Sequence, residues 1–154
     1  MKAFLKAFVY AAEGIAAAVK TQRNFRIHIT AAVYVTGFSL FYELTKTEYA
    51  LLAVVFALVM SCEAVNTAIE AAVDLCSPEY SKTAKLAKDA AAGAVLIAAI
   101  FSIIVGIILF GDIEVIKSIF EYYGRNIPAL AGLVLSAVLA AVFIIYPSKR
   151  KEQK

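Results

Sequence analysis

Residues 90–111 read AAAGAVLIAAIFSIIVGIILFG and contain no charged side chain. A run of this length meets the need for roughly 20 apolar residues in a helix that crosses the hydrocarbon core of a bilayer. A second long run occupies residues 127–148, and shorter charge-free runs occupy residues 27–42 and 49–62. Hydrophobic residues make up 62% of the 154-residue chain, well above the roughly 45–50% of soluble domains. The sequence therefore predicts an all-α integral membrane protein with three core transmembrane helices and a fourth, C-terminal span.

Residues 1–24 have a different pattern from the four apolar runs. Apolar side chains recur at helical spacing, while Lys2, Lys6, Glu13 and Lys20 gather on the other face. This pattern is typical of an amphipathic helix that lies along the inner leaflet with its lysines near anionic headgroups. A first membrane span is the alternative, and the charges at Lys6 and Glu13 argue against it.

The basic residues are distributed unevenly between the two sides of the predicted membrane. Of the fifteen Lys and Arg residues, only Lys46, Lys117 and Arg125 fall in segments on the side opposite the N-terminus. The others lie near the N-terminus, between the second and third spans, or in the tail that contains Lys149-Arg150-Lys151. Because Lys and Arg accumulate in cytoplasmic segments, we expect both termini in the cytoplasm.

The second apolar run ends in a series of polar side chains. To reach spanning length, residues 49–62 must be extended by the residues that follow, which places Glu63 and Asn66 at the headgroup boundary. Together with Glu70 and Asp74, they fall within an arc of roughly 80° on a helix. Ionisable groups at this depth are expensive and by default indicate function. We therefore predict a magnesium and phosphate site at the cytoplasmic edge of the membrane.

The order of these residues along the helix indicates different roles. Glu63 comes first after the apolar run and can meet the hydroxyl of a lipid whose tail stays in the bilayer, as a general base must. Glu70 lies roughly 10 Å further toward water, where a carboxylate can hold a magnesium ion that bridges nucleotide phosphates. Asn66 lies between them and can orient either group, and Lys88 offers a positive charge for phosphate. Three other charged residues, taken alone, are better explained as parts of solvated helix ends: Asp74, Glu79 and Lys85.

Three segments carry a resemblance to a known family. Residues 63–74 read EAVNTAIEAAVD, residues 87–96 read AKDAAAGAVL, and residues 21–28 read TQRNFRIH. The first two closely resemble the prokaryotic diacylglycerol kinase family, and the third is similar to the segment that leads into the family's first span. The similarity extends over roughly residues 3–110 and is greatest to the Gram-positive branch, whose members are undecaprenol kinases.

The resemblance implies a small homotrimeric kinase of the bacterial cytoplasmic membrane, with active sites shared between subunits and no nucleic-acid partner. Such an enzyme moves the γ-phosphoryl group of magnesium-ATP to a lipid hydroxyl, here that of undecaprenol. By matching position, Glu63 is expected to be the general base, with Mg²⁺ held by Glu70 and at the position of Gln22. Contacts with ATP are expected from Tyr10, Glu70, Glu79, Tyr80, Lys88 and Asp89. Residues expected to order the site or the substrate are Gly14, Asn24, Phe25, Arg26 and Asn66.

Two features depart from the family pattern. The family usually has Glu at the position of Gln22, and an amide oxygen is a poorer ligand than a carboxylate for a hard cation. The family core has three spans and corresponds to residues 1–111, whereas residues 112–154 add a short outer helix, a fourth span and a basic tail.

Three alternatives to an undecaprenol kinase stay open. The acceptor lipid can instead be diacylglycerol, or the protein can be a non-catalytic lipid-binding relative, which Gln22 makes more plausible. An ion or proton transporter is a third class, but transporters are expected to carry ionisable groups at mid-bilayer in several spans. The cores of the other three spans carry none, which argues against transport.

Overall fold

The computed structural model describes residues 2–77 and 79–146, with side chains from residue 4 onward. Within these ranges the chain forms six α-helices and one 3₁₀ turn and contains no strand, which confirms the expected all-α architecture. The helices are α1 (Lys2–Thr21), α2 (Arg23–Phe38), α3 (Lys46–Cys76), α4 (Lys82–Phe110), α5 (Ile113–Arg125) and α6 (Ile127–Ile145), and the 3₁₀ turn is Ser39–Phe41.

Three helices, α3, α4 and α6, are long and apolar enough to cross a membrane. The first expected span corresponds to α2, which has 16 residues and is short for a crossing by itself. Together with the 3₁₀ turn it extends for about 30 Å, which is the thickness of a typical hydrocarbon core. The chain is thus a membrane protein whose described residues contain three candidate spans, and the crossing by α2 stays a prediction.

The N-terminal helix is shorter than the expected surface helix at residues 1–24. It ends at Thr21 because the backbone of Gln22 is extended, with φ −106° and ψ 116°. A new helix, α2, begins at Arg23. Most apolar side chains of α1 are exposed, with Phe4 and Phe8 more than 60% accessible, whereas Ala18 near its end is buried. A helix with such a surface is suited to contact with lipid rather than with the rest of the chain.

The two long helices α3 and α4 form the central hairpin and make the most extensive helix–helix contact of the chain. Small residues at Ala91 and Ala98 are the buried positions of α4, and small side chains allow close approach of membrane helices. α4 begins after Ser81, whose hydroxyl accepts a hydrogen bond from a backbone N–H of the first turn. The expected break after the second span agrees with the end of α3 at Cys76, while Pro78 itself lies outside the described residues.

The C-terminal helices α5 and α6 run back along the first half of the chain. Asp112 caps α5 by accepting hydrogen bonds from two backbone N–H groups, and Asn126 caps α6 by accepting one from the Ala129 N–H. α6 packs against α2. These helices agree with the expected outer helix and fourth span to within a few residues. The basic tail Lys149-Arg150-Lys151, on which the cytoplasmic placement of the C-terminus partly rests, lies outside the described residues.

The N-terminus of α3 is closed by a capping box. The Thr45 hydroxyl accepts a hydrogen bond from the Glu48 backbone N–H at 3.3 Å, and Glu48 Oε2 accepts one from the Thr45 backbone N–H at 2.7 Å. We expect Thr45→Ala to lower the free energy of unfolding by about 1 kcal/mol, measured by SDS titration in mixed micelles. Thr47→Ala, at an exposed neighbouring position, is the control. Equal losses in the two variants would contradict a contribution from the cap.

Candidate active site

The polar stripe expected on the second span lies on α3. Glu63 is only 2% exposed and Asn66 only 7%, although both belong to a helix that is otherwise apolar enough to span a bilayer. The Asn66 side-chain N–H₂ donates a hydrogen bond to Glu70 Oε1 at 2.9 Å. Asn66 and Glu70 are therefore hydrogen-bonded to each other. Glu63 is buried one helical turn before Asn66.

Glu63 has a neighbour, His28, that the sequence analysis did not assign to the site. The titratable groups closest to its carboxyl include His28 of α2 and Glu70. His28 also lines an apolar cavity of about 260 Å³ between α2, α3 and α4, together with Val59 and Met60. Val59 and Met60 precede Glu63 by about one helical turn, so the cavity lies one turn from Glu63 along α3. The signal for His28 was present in the sequence, because it is the only His of the chain and stands in the segment leading into the first span.

The donor atoms near Glu70 fit a magnesium ion. Asn66 Oδ1 is buried and has no hydrogen-bond partner within the described part of the chain, so it is a polar atom that lacks a ligand. Glu70 and this amide offer hard oxygen donors of the kind that Mg²⁺ takes, and Mg²⁺ usually keeps several waters and needs only one or two carboxylates. No group of three or more His, Cys, Asp or Glu with metal-binding geometry occurs among the described residues. Glu70 and Asn66 are the described residues that would hold such an ion.

Gln22, expected at the second metal position, occupies the extended junction between α1 and α2. Its side chain is half-buried and makes no capping hydrogen bond to the start of α2. The amide group of Gln22 therefore does not cap α2. The location of Gln22 is set by the contacts that hold α1 and α2 together.

The expected ATP residues near the turn between α3 and α4 share one cleft. Its volume is about 270 Å³, and its lining includes both polar and charged side chains. Lys88 of α4 forms an ion pair with Asp74 of α3, and Lys85 forms one with Asp89. Asp74 and Lys85 line the cleft, and both side chains are more than half exposed, as expected for solvated helix ends. The charged and aromatic residues lining the cleft are Asp74, Glu79, Tyr80, Lys85, Lys88 and Asp89.

The remaining expected residues divide into exposed and buried ones. On α1, Tyr10 and Gly14 are exposed, and a Cβ at Gly14 would meet no atom within 4 Å. Packing within the chain therefore does not require a glycine there. Asn24 is exposed as well, whereas Phe25 is buried at 2% exposure. Arg26 is also buried, and its hydrogen bonds go to backbone carbonyls of α1 and of the C-terminal end of the described chain.

Comparisons with known proteins follow the same division of the chain. The sequence model described as prokaryotic diacylglycerol kinase matches residues 9–110, which include α2, α3, α4 and most of α1. The undecaprenol kinase of Bacillus subtilis is 41% identical over 107 residues, which cover 70% of this chain and 87% of that protein. The diacylglycerol kinase of Synechocystis sp. is 49% identical over 103 residues, which cover 66% of this chain and 59% of that protein.

The matched region contains the polar stripe of α3 and the cleft beside α4, and it leaves out α5 and α6. The family resemblance inferred from the sequence motifs is thus confirmed. By the extent of the family match and the identity to its relatives, the chain belongs to the prokaryotic diacylglycerol kinase family of lipid alcohol phosphotransferases.

Proposed function

We propose that the protein transfers the γ-phosphoryl group of magnesium-ATP to the hydroxyl of undecaprenol at the cytoplasmic face of the bacterial cytoplasmic membrane. The observation that carries this proposal is the burial of Glu63 at 2% exposure between an apolar cavity and the hydrogen-bonded pair Asn66–Glu70. A carboxylate in this place can meet an alcohol whose hydrocarbon chain remains in the membrane. A site in a water-soluble protein rarely brings a carboxylate to an alcohol whose hydrocarbon chain stays in a bilayer.

The chemistry requires little more than positioning and charge neutralisation. Glu63 accepts the proton of the lipid hydroxyl, the alcohol oxygen forms a bond to the γ-phosphorus, and the bond to the β–γ bridging oxygen breaks to release ADP. Glu70 and Asn66 would hold Mg²⁺, which when bound neutralises negative charge on the phosphates. Because Asn66 donates to Glu70, it fixes the direction of that carboxylate before the nucleotide arrives.

The cleft beside α4 supports nucleotide binding at the solvent end. Lys88 is half-buried and pairs with Asp74, so a phosphate group that binds Lys88 has to compete with, or replace, this carboxylate. Glu79 and Tyr80 are exposed at the rim of the cleft, where the nucleoside would lie. Tyr10 of α1 does not line the cleft, and its contact with ATP is proposed from the family resemblance alone. We further propose a homotrimer with shared active sites and cytoplasmic termini.

The acceptor lipid is proposed from the relatives alone. The relative named as an undecaprenol kinase is covered along 87% of its length, whereas the one named as a diacylglycerol kinase is covered along 59%. Diacylglycerol is therefore the second candidate. The apolar cavity next to Glu63 can accept a hydrocarbon chain of either lipid.

We expect a phosphate-transfer screen to favour the polyprenol. Purified full-length protein is given radiolabelled ATP and Mg²⁺ with undecaprenol, diacylglycerol or ceramide in mixed micelles, and labelled lipid is separated by chromatography. The highest kcat/KM is expected for undecaprenol. Preference for diacylglycerol would change the assigned acceptor, and no transfer to any lipid would support the non-catalytic alternative.

Removing the proposed base should abolish transfer without unfolding the protein. We expect Glu63→Gln to lower kcat by a factor on the order of 10²–10⁴, because the amide keeps the shape of the side chain and cannot accept the proton. Helix content and thermal unfolding should stay close to those of the parent. Glu43→Gln, at an exposed position between the 3₁₀ turn and α3, is the matched control. Equal turnover in the Glu63 variant and the parent would exclude this residue as the base.

Restoring the carboxylate at position 22 should strengthen cation binding. We expect Gln22→Glu to lower the Mg²⁺ concentration required for half-maximal activity, because a carboxylate is a better ligand than an amide for a hard cation. Activity is measured at fixed ATP over a range of Mg²⁺, and Gln22→Met serves as the control that removes all donor oxygens. An unchanged Mg²⁺ requirement in Gln22→Glu would argue against a metal role at this position.

A further inference from the structure

A buried arginine joins the ends of two helices that are far apart in the sequence. Arg26, in the first turn of α2, is 7% exposed. Its Nη1 donates to the carbonyls of Val19 and Lys20 at the end of α1, at 3.0 and 3.2 Å. Its Nε and Nη2 donate to the Ile144 carbonyl at 3.4 and 3.1 Å, and Nη2 donates also to the Tyr146 carbonyl at 3.4 Å.

This set of acceptors is suited to a buried guanidinium. Arginine keeps its charge even when buried, so it needs partners for its donors. Among the described residues no carboxylate lies within salt-bridge distance of Arg26. The last carbonyls of a helix have no intrahelical donor and carry partial negative charge. Two such helix ends converge on Arg26 and replace the missing carboxylate.

α2 contacts the C-terminal helices α5 and α6 at three places along its length, and Arg26 makes one of these contacts. Near the middle of the helix, the Tyr34 and Ser136 hydroxyls lie 3.0 Å apart. At the other end, the aromatic rings of α2 and of the 3₁₀ turn pack against α5, with 6.4 Å between the centroids of Phe38 and Tyr123. α5 and α6 therefore follow α2 from one end to the other, and only the Arg26 contact reaches α1 as well.

The position of Arg26 bears directly on Gln22. The hydrogen bonds to Val19 and Lys20 close a short loop around the extended junction, so they fix the direction in which α1 leaves α2. α1 carries Tyr10, and the junction carries Gln22, both expected on the nucleotide side of the site. An anchor at this point can therefore influence ATP binding without contacting ATP.

We propose that α6 is a positioning element of the active site, which acts through Arg26 to hold the α1–α2 junction in place. Arg26 is the positioning residue, and the carbonyls of Ile144 and Tyr146 are the contribution of the C-terminal extension. The effect on catalysis rests on the proposed kinase function, whereas the attachment of α6 to α1 through Arg26 does not. Both parts can be tested in the full-length protein.

Chemical crosslinking tests the attachment without any activity measurement. Because one guanidinium bonds to the carbonyls of Lys20 and Tyr146, Lys20→Cys and Tyr146→Cys place two exposed thiols within reach of a short bifunctional reagent. The native Cys62 and Cys76 are replaced by serine in this background. We expect crosslinking within one chain to be efficient and to fall severalfold when Arg26→Gln is added.

Two further substitutions serve as controls in the same background. Arg23→Gln removes an exposed arginine of the same helical turn, and Ser136→Ala removes the hydroxyl contact near the middle of α6. Neither should change the crosslinking yield. A yield that is unaffected by Arg26→Gln, or reduced equally by Arg23→Gln, would overturn the attachment.

Steady-state kinetics test the positioning in the protein with its native cysteines. We expect Arg26→Gln to raise the KM for MgATP by about tenfold with little change in the KM for lipid, and Arg26→Lys to restore part of the loss. A fall in kcat with both KM values unchanged, or equal increases in the two KM values, would overturn the positioning role. A parent protein without turnover on any lipid would overturn the kinase proposal, and the crosslinking result would still decide the attachment.

Discussion

Polar groups at membrane depth must find partners, and this requirement governs the arrangement of the chain. In the hydrocarbon region no water replaces a missing hydrogen bond, so each buried polar side chain needs a protein group or a ligand. Asn66 satisfies half of this requirement through Glu70 and leaves Oδ1 without a partner in the described residues. Arg26 satisfies its requirement within the chain. The unpartnered oxygen of Asn66 therefore indicates where a ligand binds, whereas the fully hydrogen-bonded Arg26 supports the surrounding structure.

The sequence was sufficient for the features that depend on residues close together along one helix. Charge-free runs gave the positions of α3, α4 and α6, and helical spacing placed Glu63, Asn66 and Glu70 on one face of α3. Motifs of ten to twelve residues were specific enough to identify the family. The physical reason is that membrane helices satisfy their own backbone hydrogen bonds, so local composition is sufficient to locate them along the chain, although not to fix their ends.

Features that depend on contacts between helices could not be obtained in this way. The proximity of His28 to Glu63 follows from the packing of α2 on α3, and the ion pair of Lys88 with Asp74 follows from the α3–α4 hairpin. The end of α1 at Thr21 was missed because no proline or glycine marks the extended backbone at Gln22. Tertiary contacts made by Arg26 stabilise that conformation, and they are not encoded in the local sequence.

The fourth expected span, α6, adds hydrogen-bond acceptors next to the region that matches the family. Three of the five hydrogen bonds of Arg26 end on carbonyls of residues beyond the region that matches the family. In a chain without α6, these donors would need other acceptors, such as lipid phosphates at the membrane surface. Such acceptors exchange with the surrounding lipid, whereas a helix end belonging to the same chain is always present. The carbonyls of Ile144 and Tyr146 thus supply Arg26 with hydrogen-bond acceptors that the region matching the family does not contain, and this is the contribution of the C-terminal extension to the α1–α2 junction.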